Sequence, residues 1–387
     1  MSQTDVLIAG GGIGGAVLAA LLVHGGKRVT IIERAKGPPP FLRPEVLWPA
    51  AVRTLEGIRP LEFWERECLK RAGGIILDRG GKVRPVVTPR LFESAGVQPY
   101  FEHPNNLRET LLAVCGADVW RGVEVTGLLR DGERICGAST RDVATGAVAD
   151  ITAGLTIGDD GANSVVRTAC GLACELRPFP LDFLAAGLPW PADWPADNVR
   201  VLLPRKRLPG GLLAFGLMPM PDGQAACIGL VPAGGSDAGL LEDFTALMTG
   251  AADVPLPLAA CGFPAGFRRI GRVFGLAKSY GVPGAVLIGD SIHPVSPAGG
   301  QGANMAIGDA ACLARLILHG APDPAAALLR ERRHAHERGL RPTRIAAKAF
   351  RLTRIPGAGT VIGGMISLVL ASDAMRIRAL RSLGRAD

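Results

Sequence analysis

Residues 5–34 read DVLIAGGGIGGAVLAALLVHGGKRVTIIER, and the order of features in this stretch decides the fold. Val6 to Ala9 is a short apolar run, the pattern of a strand buried in a parallel sheet. Gly10, Gly12 and Gly15 then give G-x-G-x-x-G at the turn into a helix of Ala, Val and Leu that stops at Gly25-Gly26. The first glycine permits the tight turn, the second lets the backbone approach a pyrophosphate, and the third lets the helix pack on the strand. The partial positive charge of the helix N-terminus faces the phosphates in such a unit. A second strand, Val29 to Ile32, delivers Glu33 about twenty residues after the glycines, where a carboxylate accepts both hydroxyls of an adenosine ribose. A 2'-phosphate would be repelled there, so FAD or NAD fits better than NADP. A lone glycine motif is weak, but strand, glycines, helix, strand and acid occur here in the required order.

A chain of 387 residues can hold two or three core-forming units, and 48% hydrophobic against 20% charged residues excludes a disordered protein. Met1 to Asp5 lack the basic and apolar regions of a secretion signal, so a cytoplasmic location is expected. The cysteines fall singly apart from Cys170 and Cys174, a spacing that suits neither zinc nor a disulfide framework; buried free thiols are the expectation. The net charge of +8 invites a nucleic-acid partner, but the arginines show no aromatic interleaving and no binding motif. A basic surface that attracts anionic cofactors or lipids explains the charge instead. No metal is expected at His334, His336 and Glu337, because i and i+2 on a helix do not share a face.

After a proline-rich loop, Phe41 to Leu47 leads into a helix at Pro49 to Glu56 that ends at Gly57, with Arg43 where the loop returns to the nucleotide. Ile75 to Val87, turning at Gly80-Gly81, and Gln98 to Phe101 alternate as strands of a second sheet. Asn105 to Val114 places Leu107, Leu111 and Leu112 on one helical face. Strands follow at Val119 to Leu129, Arg134 to Thr140 and Ala147 to Ile157, with hairpin turns at Asp131-Gly132 and Thr145-Gly146. Further on, Val199 to Leu203, Leu212 to Met218 and Ala225 to Val231 read as strands and Leu240 to Met248 as a helix. Leu213, Phe215 and Leu217 share one strand face and Leu212, Ala214, Gly216 and Met218 the other; either suits an apolar pocket, and ordinary core packing is the plainer reading.

Two further motifs make the reading specific. Residues 155–167, LTIGDDGANSVVR, are a strand, a loop and a helix in which Asp160, Gly161, Ser164 and Arg167 match D-G-x-x-S-x-V-R. Residues 286–304, VLIGDSIHPVSPAGGQGAN, are a buried strand ending in Gly289-Asp290, then His293, Pro297 and a glycine-rich run that opens a helix from Ala303 to Leu318. A carboxylate at the carboxyl end of a parallel strand lies in the crevice where open α/β sheets bind ligands. Together the three motifs resemble the flavin-dependent aromatic hydroxylases, the family of para-hydroxybenzoate hydroxylase, from Asp5 to Asn304.

That resemblance implies an α/β fold with a Rossmann-like FAD-binding domain, an interleaved antiparallel-sheet substrate domain and C-terminal helices. It assigns 1–74, 102–174 and 278–320 to the FAD-binding domain, 75–101 and 175–277 to the substrate domain, and 321–387 to the C-terminal helical region. At the first motif it implies cofactor contacts from Gly10, Gly12, Ile13, Gly14 and Gly15, with Glu33 and Arg34 closing the second strand. The family commonly has an arginine three residues before Leu107; Pro104 stands there, so Arg108 or Arg43 supplies that contact or it is lost. Val125 is a further contact, and Asp160 and Gly161 serve both FAD and the nicotinamide that reduces it. Asp290 would bind the ribityl chain, with Pro297, Gly300, Gln301, Gly302, Ala303 and Asn304 along the flavin, where backbone N–H groups and a helix N-terminus stabilise charge on the reduced ring. His293 and Pro297 are the catalytic candidates, a scaffold role being the other reading of His293.

Chemically, the resemblance implies a single-component monooxygenase that holds FAD non-covalently, takes NADH or NADPH as a transient co-substrate, and hydroxylates or epoxidises its substrate with O2 through a flavin C4a-hydroperoxide. A reductase similar to geranylgeranyl reductases would share the first and third motifs and work without O2, and a non-catalytic flavin-binding module is a third reading. A halogenase is disfavoured, since Trp190-Pro-Ala-Asp-Trp194-Pro does not fit W-x-W-x-I-P. The strands and C-terminal helices are rich in Leu, Val, Phe and Met, and Arg205, Lys206 and Arg207 sit in an exposed turn, so the small-molecule substrate expected is a large, lipophilic aromatic or quinone-like one. Arginine-rich helices follow Gly320, and the apolar run Ile355 to Ala371 reads as a helix packed on the substrate domain or as a weak peripheral membrane contact. A monomer and a homodimer fit equally.

Overall fold

In the computed structural model, which describes residues 2–38, 45–102, 104–190, 196–221, 223–249, 267–297, 300–352 and 372–384, β1 (Ser2–Ala9) lies inside an eight-stranded sheet. The strand starts at Ser2 rather than Val6 because its parallel neighbour Val148–Gly158 is long enough to pair with the polar residues Ser2, Gln3 and Thr4 as well. On the other side β1 pairs with β2 (Val29–Glu33), which pairs with Asp118–Arg121, and Ala285–Leu287 pairs with Val148–Gly158; all of these ladders are parallel. Val123–Asp131 and Arg134–Asp142 extend the sheet antiparallel. Consequently the carboxyl ends of β1, β2, Val148–Gly158 and Ala285–Leu287 open on one edge, where the three glycine-rich turns leave the sheet.

The helix α1 (Ile13–His24) is apolar on every face down to its last residue, and Gly14 to Ala20 and Leu22 are buried. It packs between the sheet, the Pro104–Val114 helix and the Gly302–Leu318 helix. Leu107 and Leu111 present the expected face to this core and are fully buried. Burying a leucine side chain contributes about 1.5–3 kcal/mol, so these contacts hold the helix N-terminus in a fixed place.

A seven-stranded, largely antiparallel sheet runs Arg268–Ile270, Leu181–Pro189, Gln224–Pro232, Ala214–Pro219, Asn198–Leu203, Gly74–Arg79, Lys82–Val87. Tyr100–Glu102 does not join it. Gly96, in the left-handed region at φ 68°, ends the Pro89–Ala95 helix and turns the chain away. The strand pairs instead with Glu45–Leu47 and Leu69–Arg71 in a separate three-stranded sheet. Phe215 and Leu217 are fully buried, and Phe215 meets Phe244 of the Leu240–Thr249 helix edge-on at 4.9 Å, so that face is core rather than pocket wall. The chain continues through the long helix Pro324–Leu352 and the helix Asp373–Gly384, which packs on Pro89–Ala95. The apolar run Ile355 to Ala371 lies outside the described residues. Among the described residues no helix is long and apolar enough to cross a membrane.

Candidate active site

Gly10 sits at φ 101°, donates its N–H to the Ile32 carbonyl at 2.8 Å, and leaves no room for a side chain, since a Cβ there would lie 2.3 Å from the Asp159 carbonyl oxygen. A Cβ at Gly15 would lie 2.7 Å from the Gly10 carbonyl oxygen. Glycine is therefore needed at both positions. Gly12 precedes α1 without side-chain capping, and no acid stands in the first turn. Glu33 is held at the end of β2 by Gly11 N–H (2.9 Å) and Ala35 N–H (2.7 Å), which leaves its oxygens further lone pairs for hydroxyls. Arg34 points into solvent. Arg108 pairs with Glu109 at 3.0 Å, Glu109 pairs with Arg121 at 2.6 Å, and Arg121 stands beside Glu33 in the sheet, so Arg108 belongs to the Glu33 end of the crevice. Val125 is half-buried against the core, and Arg43 lies outside the described residues.

The second motif mostly builds itself. Ser164 caps the Val165–Ala169 helix by accepting Arg167 N–H, while the Asp160 carboxylate accepts the Ser164 hydroxyl and Val166 N–H. The buried Arg167 guanidinium donates to the Ala162 carbonyl at 2.6 Å and to the Ser291 carbonyl at 2.8 Å, bolting the second motif to the third. In the third motif, Asn304 accepts Trp48 N–H and donates to the Val46 and Gly300 carbonyls, and Gln301 donates to the Leu383 carbonyl of the last helix. These side chains fix the loop around the opening of the Gly302–Leu318 helix.

The three turns converge on one cavity of 190 Å3. Gly12, Ile13 and Gly14 line it from the first motif, Gly161 from the second, and Asp290, Pro297, Gly302 and Ala303 from the third. Asp159, Glu45 and Arg272 line it as well and were not foreseen. Asp159 is adjacent to a motif residue, but Glu45 arrives from the three-stranded sheet and Arg272 from the connection between Arg268–Ile270 and Val273–Phe274, with no local signal. A larger hollow of 490 Å3 lies between residues 281–284 and 321–326 and holds none of the motif glycines or carboxylates, so size does not mark the site.

His293 is not among the cavity's lining residues. It is fully buried, with Nε2 2.6 Å from Asp309 Oδ2. Asp309 also accepts His336 Nε2 at 2.5 Å, Arg332 Nε at 3.1 Å and Gly289 N–H at 3.2 Å, and His336 Nδ1 meets the Tyr280 hydroxyl at 2.6 Å. This arrangement ties His293 to Asp309 and sets it apart from the cavity wall. His336 lies with His293 and Asp309 rather than with His334, a grouping that spacing along one helix does not reveal. These three could surround one cation, but their contacts are already direct hydrogen bonds and Arg332 supplies positive charge. A single acid in the apolar run Ala303 to Leu318 was the available signal for Asp309.

Burial opposes ionisation of Asp309, but the electrostatic pull and the hydrogen bonds of the His336 and His293 rings outweigh it and hold the carboxyl well below its ordinary range. Burial pushes His336 down to about 4, against the pull of Asp309. His336 is then neutral in the folded protein, donating from Nε2 and accepting the tyrosine hydroxyl at Nδ1. The unfolded chain, with an ordinary histidine near 6.5, binds more protons than the folded one between that value and about 4, so stability rises with pH across this window. Acidification from pH 6.5 to 4 should cost up to roughly 3 kcal/mol through this residue. Urea unfolding against pH checks it, and His336→Gln with an unchanged slope would refute the assignment.

The model of the family described as FAD binding domain matches residues 3–338. The chain is 29% identical over 337 residues to 6-methylpretetramide 4-monooxygenase of Streptomyces rimosus, covering 82% of this chain and 76% of that protein. It is 26% identical over 350 residues to 3-demethoxyubiquinol 3-hydroxylase of Escherichia coli, covering 82% and 80%. The crystal structure of p-nitrophenol 4-monooxygenase from Pseudomonas putida superimposes with a TM-score of 0.77 at 15% identity over 100% of both chains, which speaks to the fold alone. A cavity joining the three motifs and a family match spanning all of them lead to one conclusion: the chain belongs to the FAD-binding domain family, among its FAD-dependent aromatic monooxygenases, and is an oxidoreductase.

Proposed function

We propose that the protein is a single-component monooxygenase that draws electrons from NADH or NADPH and inserts one atom of O2 into a lipophilic aromatic or quinone-like substrate by hydroxylation or epoxidation. The observation that carries this reading is the convergence of Gly12–Gly14, Asp290 and the Gly302–Ala303 helix start on one cavity. Bound FAD supplies the O2 activation and oxygen transfer. The chain supplies the rest. The N-terminus of α1 receives the diphosphate, Glu33 accepts the ribose hydroxyls, and Asp290 accepts hydroxyls of the ribityl chain. Backbone N–H groups at Gly302 and Ala303, with the dipole of a seventeen-residue helix behind them, favour negative charge on the ring. The seven-stranded sheet, which we assign to the substrate domain, would hold the substrate and keep water from the ring.

The lipophilic substrate is supported by the apolar composition of the second sheet and by the ubiquinol in the name of the Escherichia coli relative. Arg272 and Glu45 bring charge to the cavity, which favours a substrate with a polar head on an apolar body. A cytoplasmic protein that collects such a ligand from a membrane surface fits the same picture. The test is a screen of phenols, quinones, quinolones and polycyclic aromatics for stimulated NAD(P)H oxidation, with oxygen uptake and product mass. The expected result is coupled O2 consumption and a product heavier by one oxygen atom. Anaerobic, NAD(P)H-dependent reduction of the substrate would overturn the reading in favour of a reductase. Coupled turnover of simple hydroxybenzoates, with none on bulky apolar aromatics, would sink only the lipophilic part.

A further inference from the structure

Asp159 follows directly on the strand Val148–Gly158, with its N–H bonded to the Ala9 carbonyl at 2.8 Å, so its position is set by the sheet. Its side chain enters the space that four glycines leave open. A Cβ at Gly12 would lie 2.6 Å from Oδ2, one at Gly15 2.9 Å from Oδ2, one at Gly14 3.2 Å from Oδ1, and one at Gly289 2.7 Å from Oδ1. Oδ2 accepts Gly15 N–H at 2.7 Å, and the residue lines the 190 Å3 cavity together with Asp290. A carboxyl thus stands at the helix N-terminus that receives the cofactor's diphosphate. Two anions there would repel each other, and a neutral acid would not.

The surroundings favour the neutral form. Burial raises the Asp159 carboxyl well above the ordinary range, opposed by Gly15 N–H and reinforced by Asp160, Asp290 and Asp309. Asp160 faces it from its own loop, Asp290 from the Gly289–Ser291 turn, and Asp309, with His293 bonded to it, from the Gly302–Leu318 helix. Glu45 and Arg272 are the other charged groups on the cavity wall.

We propose that Asp159 is a cofactor-binding residue that acts as a neutral acid, keeping the Gly15 N–H on one oxygen and donating the hydrogen of the other to the FAD diphosphate. The inference rests on FAD occupying this cavity. Where the free carboxyl is ionised, binding takes up one proton: carboxylate, proton and FAD give carboxylic acid and bound FAD. The dissociation constant is therefore flat at low pH and rises above it, approaching about tenfold per pH unit, the slope of one linked proton.

The experiment measures FAD binding to the apoprotein by flavin fluorescence from about pH 6 to about pH 9.5, with calorimetry in two buffers of different ionisation enthalpy to count the proton. Circular dichroism at each pH verifies folding. The expected result is the flat-then-rising profile with proton uptake on the rising limb, and a flat profile in Asp159→Asn, which binds tighter than wild type wherever the wild-type constant has risen. A wild-type constant that stays flat to the alkaline limit without proton uptake overturns the proposal, as does an Asp159→Asn profile with the wild-type slope. If Asp159→Asn fails to fold, the wild-type profile and the calorimetric proton count decide alone. Absence of FAD binding at every pH would instead remove the cofactor reading on which the inference depends.

Discussion

Asp309→Ala is expected to destabilise the protein by roughly 3–5 kcal/mol, the cost of breaking a buried ion pair by removing one partner. The carboxylate is fully buried and carries four bonds, from His293, His336, Arg332 and Gly289 N–H. Its loss leaves the Arg332 guanidinium, whose side chain is 9% exposed, without a counter-charge, and strands the Nε2 hydrogen of His336. The damage reaches the cofactor through Gly289. That residue sits at φ 60° beside Asp290, and its N–H is aligned by Asp309, so FAD affinity should fall together with stability. Asp309→Asn keeps the volume and one acceptor and should fall between alanine and wild type. Urea unfolding at neutral pH measures the difference. An alanine variant within about 1 kcal/mol of wild type would show that the cluster is not a charged one.

The contrast between Asp309 and β1–α1–β2 shows what sequence carries and what it does not. The nucleotide-binding unit is legible because its signals are local: a buried strand, three glycines and an acid follow one another within thirty-odd residues, and each acts on its neighbours. The helix boundaries at Pro49–Glu56 and the turns at Gly132 and Gly146 are legible for the same reason. Tyr100–Glu102 shows the limit, because its alternation announces a strand but not which sheet receives it. Asp159 was passed over for Asp160, although the second is turned into its own loop and the first meets Gly15 across 144 residues. Asn304 is similar: it clamps Trp48 across 256 residues, a task invisible in its motif. Glu45 and Arg272 reach the cavity from a strand of the three-stranded sheet and from the connection before Val273–Phe274, and apolar composition averages over such individuals.

Gly10→Ala is expected to abolish FAD binding, with loss of affinity of at least about a hundredfold, or roughly 3 kcal/mol, whereas Gly26→Ala leaves it unchanged. Both glycines have positive φ, 101° and 81°, so both variants carry the backbone cost of roughly 1–2 kcal/mol that an L-residue meets there. They differ in space. Nothing lies within 4 Å of a Cβ at Gly26, but one at Gly10 meets the Asp159 carbonyl oxygen at 2.3 Å and its carbon at 2.7 Å. Those are backbone atoms, so no rotamer change relieves the clash. Relief requires β1 and Val148–Gly158 to part at their carboxyl ends, where Asp159 N–H holds the Ala9 carbonyl at 2.8 Å. Parting them also draws Asp159 off Gly15 and tilts the start of α1, the donors we propose for the diphosphate. Flavin titration of both variants, with urea unfolding beside it, separates the two causes. Equal losses of affinity in the two variants would mean that backbone strain alone accounts for the need for glycine at the turn, and that the close approach of the two strands does not set the cofactor site.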